Sequence, residues 1–217
     1  MKYIDYYSEL LHCVITKTGK ELHSIEEFKK ELINSLDQIK DNMTKANIDR
    51  QIIEHYTNFA VVAFIDTYML NFILDGDREG RIWWLQNSLQ SQIYEINDAG
   101  VKYYEKIKDI DAMTGKKRID LMEFYLLILY LGFEGQYDGT ERLAIIRGYA
   151  ERCGLKEKLN DSRLGFKSQN NIIHKKEKGK GKGKYQKIYL HLYYAVLFLI
   201  AVITYFSAMI GLSGVMR

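Results

Sequence analysis

Aliphatic and charged residues interleave along residues 1 to 174 at helical spacing, and the helices so predicted have recognisable ends. Tyr3 to Ile15 forms the first and closes near Gly19. Ser24 with Glu27 makes an S-x-x-E capping box that opens a helix running to about Lys45. Ile48 to Leu74 is long and strongly apolar in its middle, "FAVVAFIDTYML", and stops at the turn "DGDREG". Trp83 to Ile96 follows, then Asp98 to Ile110, the loop "DAMTGKKR", and Ile119 to Leu131, the most hydrophobic helix of the body. Asp138 with Glu141 is a further capping signal, opening a helix to Arg152. No proline occurs in the 217 residues, which favours long helices over a turn-rich β fold. The expected fold class is all-α, a compact bundle of about seven helices, and no fixed-period repeat indicates a solenoid.

The stretch "DLMEFYLLILYL", residues 120 to 131, has one polar residue after its cap, Glu123. It is too short to span a membrane and too apolar to lie on a surface, so it is expected to be the central helix of the bundle. Gly132 can take the left-handed conformation that closes such a helix, with Phe133 folding back as the accompanying hydrophobic contact. Gly135 permits a second tight bend, which leaves Glu134 between two hinges. A carboxylate there either caps a neighbouring helix or faces a partner. Asp66 sits in mid-helix among apolar residues, where an unpaired carboxylate would cost several kcal/mol. The reading open from the residues themselves is that it takes bonds from a neighbouring loop or helix terminus. Of the consecutive Trp83 and Trp84, one must turn outward.

Residues 192 to 212, "LYYAVLFLIAVITYFSAMIGL", run for 21 positions without a charge. At 1.5 Å per residue, roughly 20 residues cross a bilayer core of about 30 Å, so this is read as a transmembrane helix. Thr204 and Ser207 are compatible with it, because a hydroxyl can bond to a carbonyl one turn back. Tyr189, Tyr193 and Tyr194 stand where an interfacial aromatic belt belongs. Ser207 and Gly211, four residues apart, form a small-xxx-small pair that lets two such helices approach closely, a candidate dimer seam. The N-terminus, "MKYIDYYSELLHCVI", is broken by Asp5 and Glu9 and does not read as a signal peptide.

Charge sharpens this layout. Of the formal net charge of +3, Lys175, Lys176, Lys178, Lys180, Lys182, Lys184 and Lys187, less Glu177, supply +6 and Arg217 one more, leaving −4 on residues 1 to 174. A DNA-binding domain would spread its lysines over a folded face, so no nucleic-acid partner is expected. The lysines mark the cytoplasmic side of the anchor and suit a flexible linker resting on anionic membrane lipid, at about 1 kcal/mol per lysine. Their glycine spacing lacks G-x-x-x-x-G-K-[ST], so the segment is no phosphate-binding loop. The expected division is a cytoplasmic helical domain at 1–174, a basic linker at 175–189, a membrane anchor at 190–213 and a short tail at 214–217.

Candidate chemistry is sparse. Cys13 and Cys153 match no metal-ligand spacing and read as reduced, packed thiols of the cytosol. His12, His23, His55, His174 and His191 are scattered, without H-E-x-x-H, and G-x-S-x-G is absent. No catalytic residue, metal site or cofactor is expected. A membrane-anchored enzyme would require Asp66, Glu134 and a histidine to converge in one pocket.

With those residues in view, "LLILYLGFEGQY" (126 to 137) resembles the L-x-L-x-x-G-F-x-G-[KRQ]-[YF] signature of the DotU/IcmH family, also called TssL. "FAVVAFIDTYMLN" (59 to 71) resembles that family's A-x-x-A-x-x-D-E-x-x-L-N helix, and "WWLQNSLQSQIYEINDAGVKYYEKI" (83 to 107) the segment that follows it. The likeness covers roughly residues 55 to 150 in the family's order, and a C-terminal membrane anchor is also the family's layout. The chain departs from the pattern at Thr67, where glutamate is usual, and at Asp138, where a basic residue often stands. The resemblance implies a structural, non-enzymatic component of type VI or related type IVb secretion systems. It implies a hook-like pair of helical sub-bundles in the cytoplasm of a bacterium, anchored once in the inner membrane with a periplasmic tail. It further implies a homodimer that joins a TssM (IcmF-like) membrane protein to the cytoplasmic baseplate, with Asp66, Thr67, Glu134 and Tyr137 as partner-contact candidates. A tail-anchored adaptor of another membrane complex would share this architecture.

Overall fold

A computed structural model describes residues 2–137 and 139–155. Eight α-helices are found among the described residues: α1 (Tyr3–Thr16), α2 (Ile25–Lys45), α3 (Asn58–Tyr68), α4 (Arg78–Gln86), α5 (Leu89–Tyr94), α6 (Ala99–Ala112), α7 (Gly115–Tyr130) and α8 (Gly139–Arg152). No strand occurs among these residues, as the all-α expectation requires. The predicted lysine linker at 175 to 189, the apolar stretch with Ser207 and Gly211, and the Asp138 cap lie outside the described residues. Among the described residues no helix is long and apolar enough to cross a membrane.

The centre of the bundle is α3 rather than α7. Every residue from Thr57 to Asp66 is buried, and α3 packs against α1, α5, α6 and α7. The sequence pointed to α7 because that helix holds the densest aliphatic run. It is indeed an inner helix, buried from Leu121 to Leu126 and at Ile128 and Leu129, and it lies against α1, α3, α6 and α8. Its buried Glu123 is met by Lys2 Nζ from the N-terminal segment. The described residues belong to one compact unit with a single apolar core.

α3 is prolonged at both ends by π-helical turns, Ile52–Thr57 and Met69–Ile73. A π turn offsets the backbone ladder, and here side chains from other elements reach into it. Tyr94 Oη donates to the Glu54 carbonyl at 2.9 Å, and Tyr125 Oη to the Tyr56 carbonyl at 3.1 Å. Tyr7 Oη lies 3.0 Å from Thr57 Oγ1. At the far end Arg81 donates to the Leu70 carbonyl. Hydroxyls from α1, α5 and α7 thus fix the register of the central helix.

Two boundaries differ from the sequence reading. The single helix expected at Trp83 to Ile96 is two, with α4 opening earlier, at Arg78, because Asp77 Oδ1 accepts from Gly80 N at 2.9 Å. The chain then breaks at Asn87, and Ser88 caps α5 through Ser91 N at 3.3 Å. The "KKR" of the expected loop belongs to α7, where Arg118 reaches back to Asp111 Oδ1 at 2.6 Å. Cys153 is half-buried as a packed thiol should be, whereas Cys13 is exposed on the outer side of α1.

Candidate functional site

Asp66 is 2% exposed and has three donors. Its Oδ1 accepts from Trp84 Nε1 at 3.0 Å and from Leu89 N at 2.9 Å, and its Oδ2 accepts from Gln90 N at 2.8 Å. Leu89 and Gln90 are the first two residues of α5, whose opening N–H groups have no partner inside the helix. One carboxylate on α3 therefore fixes α4 through the indole and α5 through its N-terminus. Burial pushes the Asp66 pKa up to about 6, against the pull of the Gln90, Leu89 and Trp84 N–H groups and of the Lys29 charge. Of the two readings, the internal bond from the residues themselves and the partner contact implied by the resemblance, this geometry is that of the internal bond to a helix terminus. Neighbouring Thr67 is half-buried, and its hydroxyl donates to the Ala63 carbonyl one turn back at 3.0 Å.

The same network runs on to the glycine turn. Gln90 Oε1 accepts from Ala99 N at 2.9 Å, so the side chain of α5 caps the start of α6 where Asp98 makes no side-chain cap. Gly100, the next residue, lies against Gly135: a Cβ on Gly135 would stand 2.8 Å from the Gly100 carbonyl oxygen and 2.9 Å from the Tyr104 ring. Gly135 also has φ +60°, so glycine is required there on both grounds.

Gly132, at φ 108°, ends α7 as the sequence predicts. Gly132 N donates to the Leu129 carbonyl at 3.1 Å and Phe133 N to the Ile128 carbonyl at 3.4 Å, the paired bonds of a Schellman ending. Phe133 folds back into the core with its ring centroid 4.4 Å from that of Tyr103. Tyr104 Oη then clamps the Glu134 carbonyl at 2.7 Å, and Tyr137 stacks edge-on against Tyr104 at 4.6 Å. The Glu134 backbone is thereby held while its side chain remains 42% exposed, with Arg142 Nη1 at 3.5 Å.

The structure thus joins Asp66, Gly135 and Tyr137 through one chain of contacts, and places the Glu134 carboxylate at its outer end. Asp66 and Glu134 share no partner, and His12, His23 and His55 are all exposed. Among the described residues no group of three or more His, Cys, Asp or Glu is placed to hold a metal. Sequence reasoning singled out neither Gln90 nor Tyr104. A glutamine two residues after a Ser cap and an aromatic pair after a glycine were the available signals. Trp84 is wholly buried and Trp83 half-buried beneath Lys29, as the consecutive pair required.

Carboxylate, glutamine and tyrosine here act on backbone groups, fixing where helices begin and end, which is the construction of a helical scaffold. The chain belongs to the DotU family: the model of the type VI secretion system protein DotU matches it over residues 2–213. That family is a structural part of the secretion system's membrane complex and not a family of enzymes. Two solved structures share the fold. The cytoplasmic domain of TssL from Acinetobacter baumannii superposes with a TM-score of 0.62 at 18% identity, over 71% of this chain and 98% of that one. The SciP/TssL structure from enteroaggregative Escherichia coli 042 gives 0.55 at 20% identity, over 69% and 86%. No curated protein sequence matches the chain significantly.

Proposed function

We propose that this chain is the inner-membrane component of a type VI secretion system that links a TssM/IcmF-like membrane protein to the cytoplasmic baseplate. Its helical domain then lies in the cytoplasm and carries the contact surface. The observation that supports this most is the glycine turn, which fixes the backbone of Glu134 and leaves its carboxylate outward. Partner contact at this end falls to Glu134 and the rim of Tyr137. Asp66 serves it indirectly, by seating α4 and α5, and Thr67 stands beside it on α3, bonded to the Ala63 carbonyl. The charge-free stretch at 192 to 212 and the lysines before it suit a single anchor resting on anionic lipid, with Ser207 and Gly211 as the seam of a homodimer. The family match, which runs through residue 213, is consistent with that layout. Affinity purification of the full chain from its native membrane tests the reading. Recovery of a TssM-like protein together with baseplate components is the expected result. Recovery of a different membrane complex would favour the adaptor reading instead.

A further inference from the structure

The Glu134 carboxylate faces a cation that holds it loosely. Arg142 lies in the first turns of α8, its side chain 17% exposed against 42% for Glu134, and its Nη1 stands 3.5 Å from Glu134 Oε1, at the outer limit of a hydrogen bond. Its Nε is enclosed and meets no acceptor. A guanidinium N–H taken out of water without an acceptor is costly, and a guanidinium holds a carboxylate best through two parallel N–H bonds. The pair seen here makes one, at full stretch.

The two backbones leave little room for adjustment. Tyr104 Oη donates to the Glu134 carbonyl at 2.7 Å, Gly135 is wedged against Gly100, and Arg142 is set within a helix. Freedom remains in the Glu134 side-chain torsions. Burial raises the Tyr104 pKa, the Arg142 charge opposes that rise, and Tyr137 and Glu134 add to it, so the four groups share one electrostatic neighbourhood. The carboxylate accordingly has two seats. One is outward, where it is part-exposed, and the other inward, where a torsional change would bring it onto Arg142 Nε and an Nη as a bidentate pair.

We propose, building on the reading of Glu134 as a partner contact, that Arg142 competes with the partner for the Glu134 carboxylate, and that the partner takes it with a basic side chain, Lys or Arg. A neutral or acidic surface would leave the carboxylate to Arg142, so the internal rival sharpens the choice of partner. A partner acid aimed at Arg142 would meet the more exposed Glu134 first, with like-charge repulsion.

The test follows the half-time with which baseplate components leave the full chain, purified with its native membrane complex, during washing. Arg142→Gln removes the rival and should lengthen it ~2–4-fold, the range of a part-exposed ion pair. Arg142→Met, which keeps an unbranched stem without donors, should do the same and serves if the glutamine variant is unstable. Glu134→Gln should shorten the half-time at least ~3-fold, and adding Arg142→Gln to it should bring no lengthening. An unchanged or shorter half-time for both Arg142 variants, or a lengthening that persists without the Glu134 charge, would overturn the competition while leaving Glu134 a contact. Equal half-times for wild type and Glu134→Gln would overturn the basic partner, and absence of baseplate components from the wild type would overturn the contact reading and this inference together.

Discussion

Asp66 and Glu134 are both carboxylates within signature-like motifs, and each stands beside the start or end of a helix. Asp66 is enclosed and receives three N–H groups, so its oxygens are used to assemble α3, α4 and α5. Glu134 is held by its backbone through Tyr104, and only Arg142 approaches its side chain. The difference shows that a motif acid is assigned by where its oxygens point. An acid whose oxygens meet backbone N–H groups specifies architecture, whereas one whose carbonyl is clamped and whose carboxylate is part-exposed beside one arginine presents charge.

Asp66→Ala should break the comparison most severely. It strands the Trp84 indole and two helix N–H groups in the interior, and a loss of about 3–5 kcal/mol in urea denaturation is expected. A loss under ~1 kcal/mol would mean that the three bonds do not hold the joint. Solution pH probes the same residue. The folded Asp66 pKa of about 6 is above the ordinary 3.8, so the folded state holds the proton more tightly than the unfolded one. Its stabilising contribution is full below 3.8 and is lost as pH rises through about 6, on the order of 3 kcal/mol in all. Wild type should therefore lose stability relative to Asp66→Asn between pH 4 and 7, and parallel pH profiles would refute the shift.

The turn gives smaller effects. Gly135→Ala forces a Cβ against the Gly100 carbonyl at positive φ and should cost ~1–3 kcal/mol, read from the thermal midpoint. Gly132→Val should cost more than about 1 kcal/mol for the left-handed strain alone. An unchanged midpoint in either would remove the reason given for that glycine. Glu134→Gln should change stability by less than ~0.5 kcal/mol, because its pairing with Arg142 is partly exposed.

Much of this was legible from residues alone. Five of the seven predicted helices match observed ones closely, and the Gly132–Phe133 ending follows the rule that only glycine takes the left-handed position cheaply. The role of Asp66 stayed open because a sequence does not show which helix terminus arrives beside a buried acid. The break at Asn87 was missed because Ser88 has Ser91, rather than Glu or Gln, three residues on, and so makes half a capping box. The π turns around α3 leave no periodic trace, since that helix is apolar on every side and a shifted register buries the same residue types. Their evidence lies in the tyrosine hydroxyls of α5 and α7, whose targets are the Glu54 and Tyr56 carbonyls, and of α1, which meets the Thr57 hydroxyl.

The division of labour between the two acids is tested most directly by Glu134→Arg in the full chain, with partner recovery from native membranes and thermal stability measured on the same preparation. The prediction is loss of the baseplate components, at least ~10-fold, with a melting midpoint within ~2 °C of wild type. Full recovery of the partners at unchanged stability would contradict an outward-facing contact at Glu134, and a collapse of the fold would contradict its separation from the Asp66 joint.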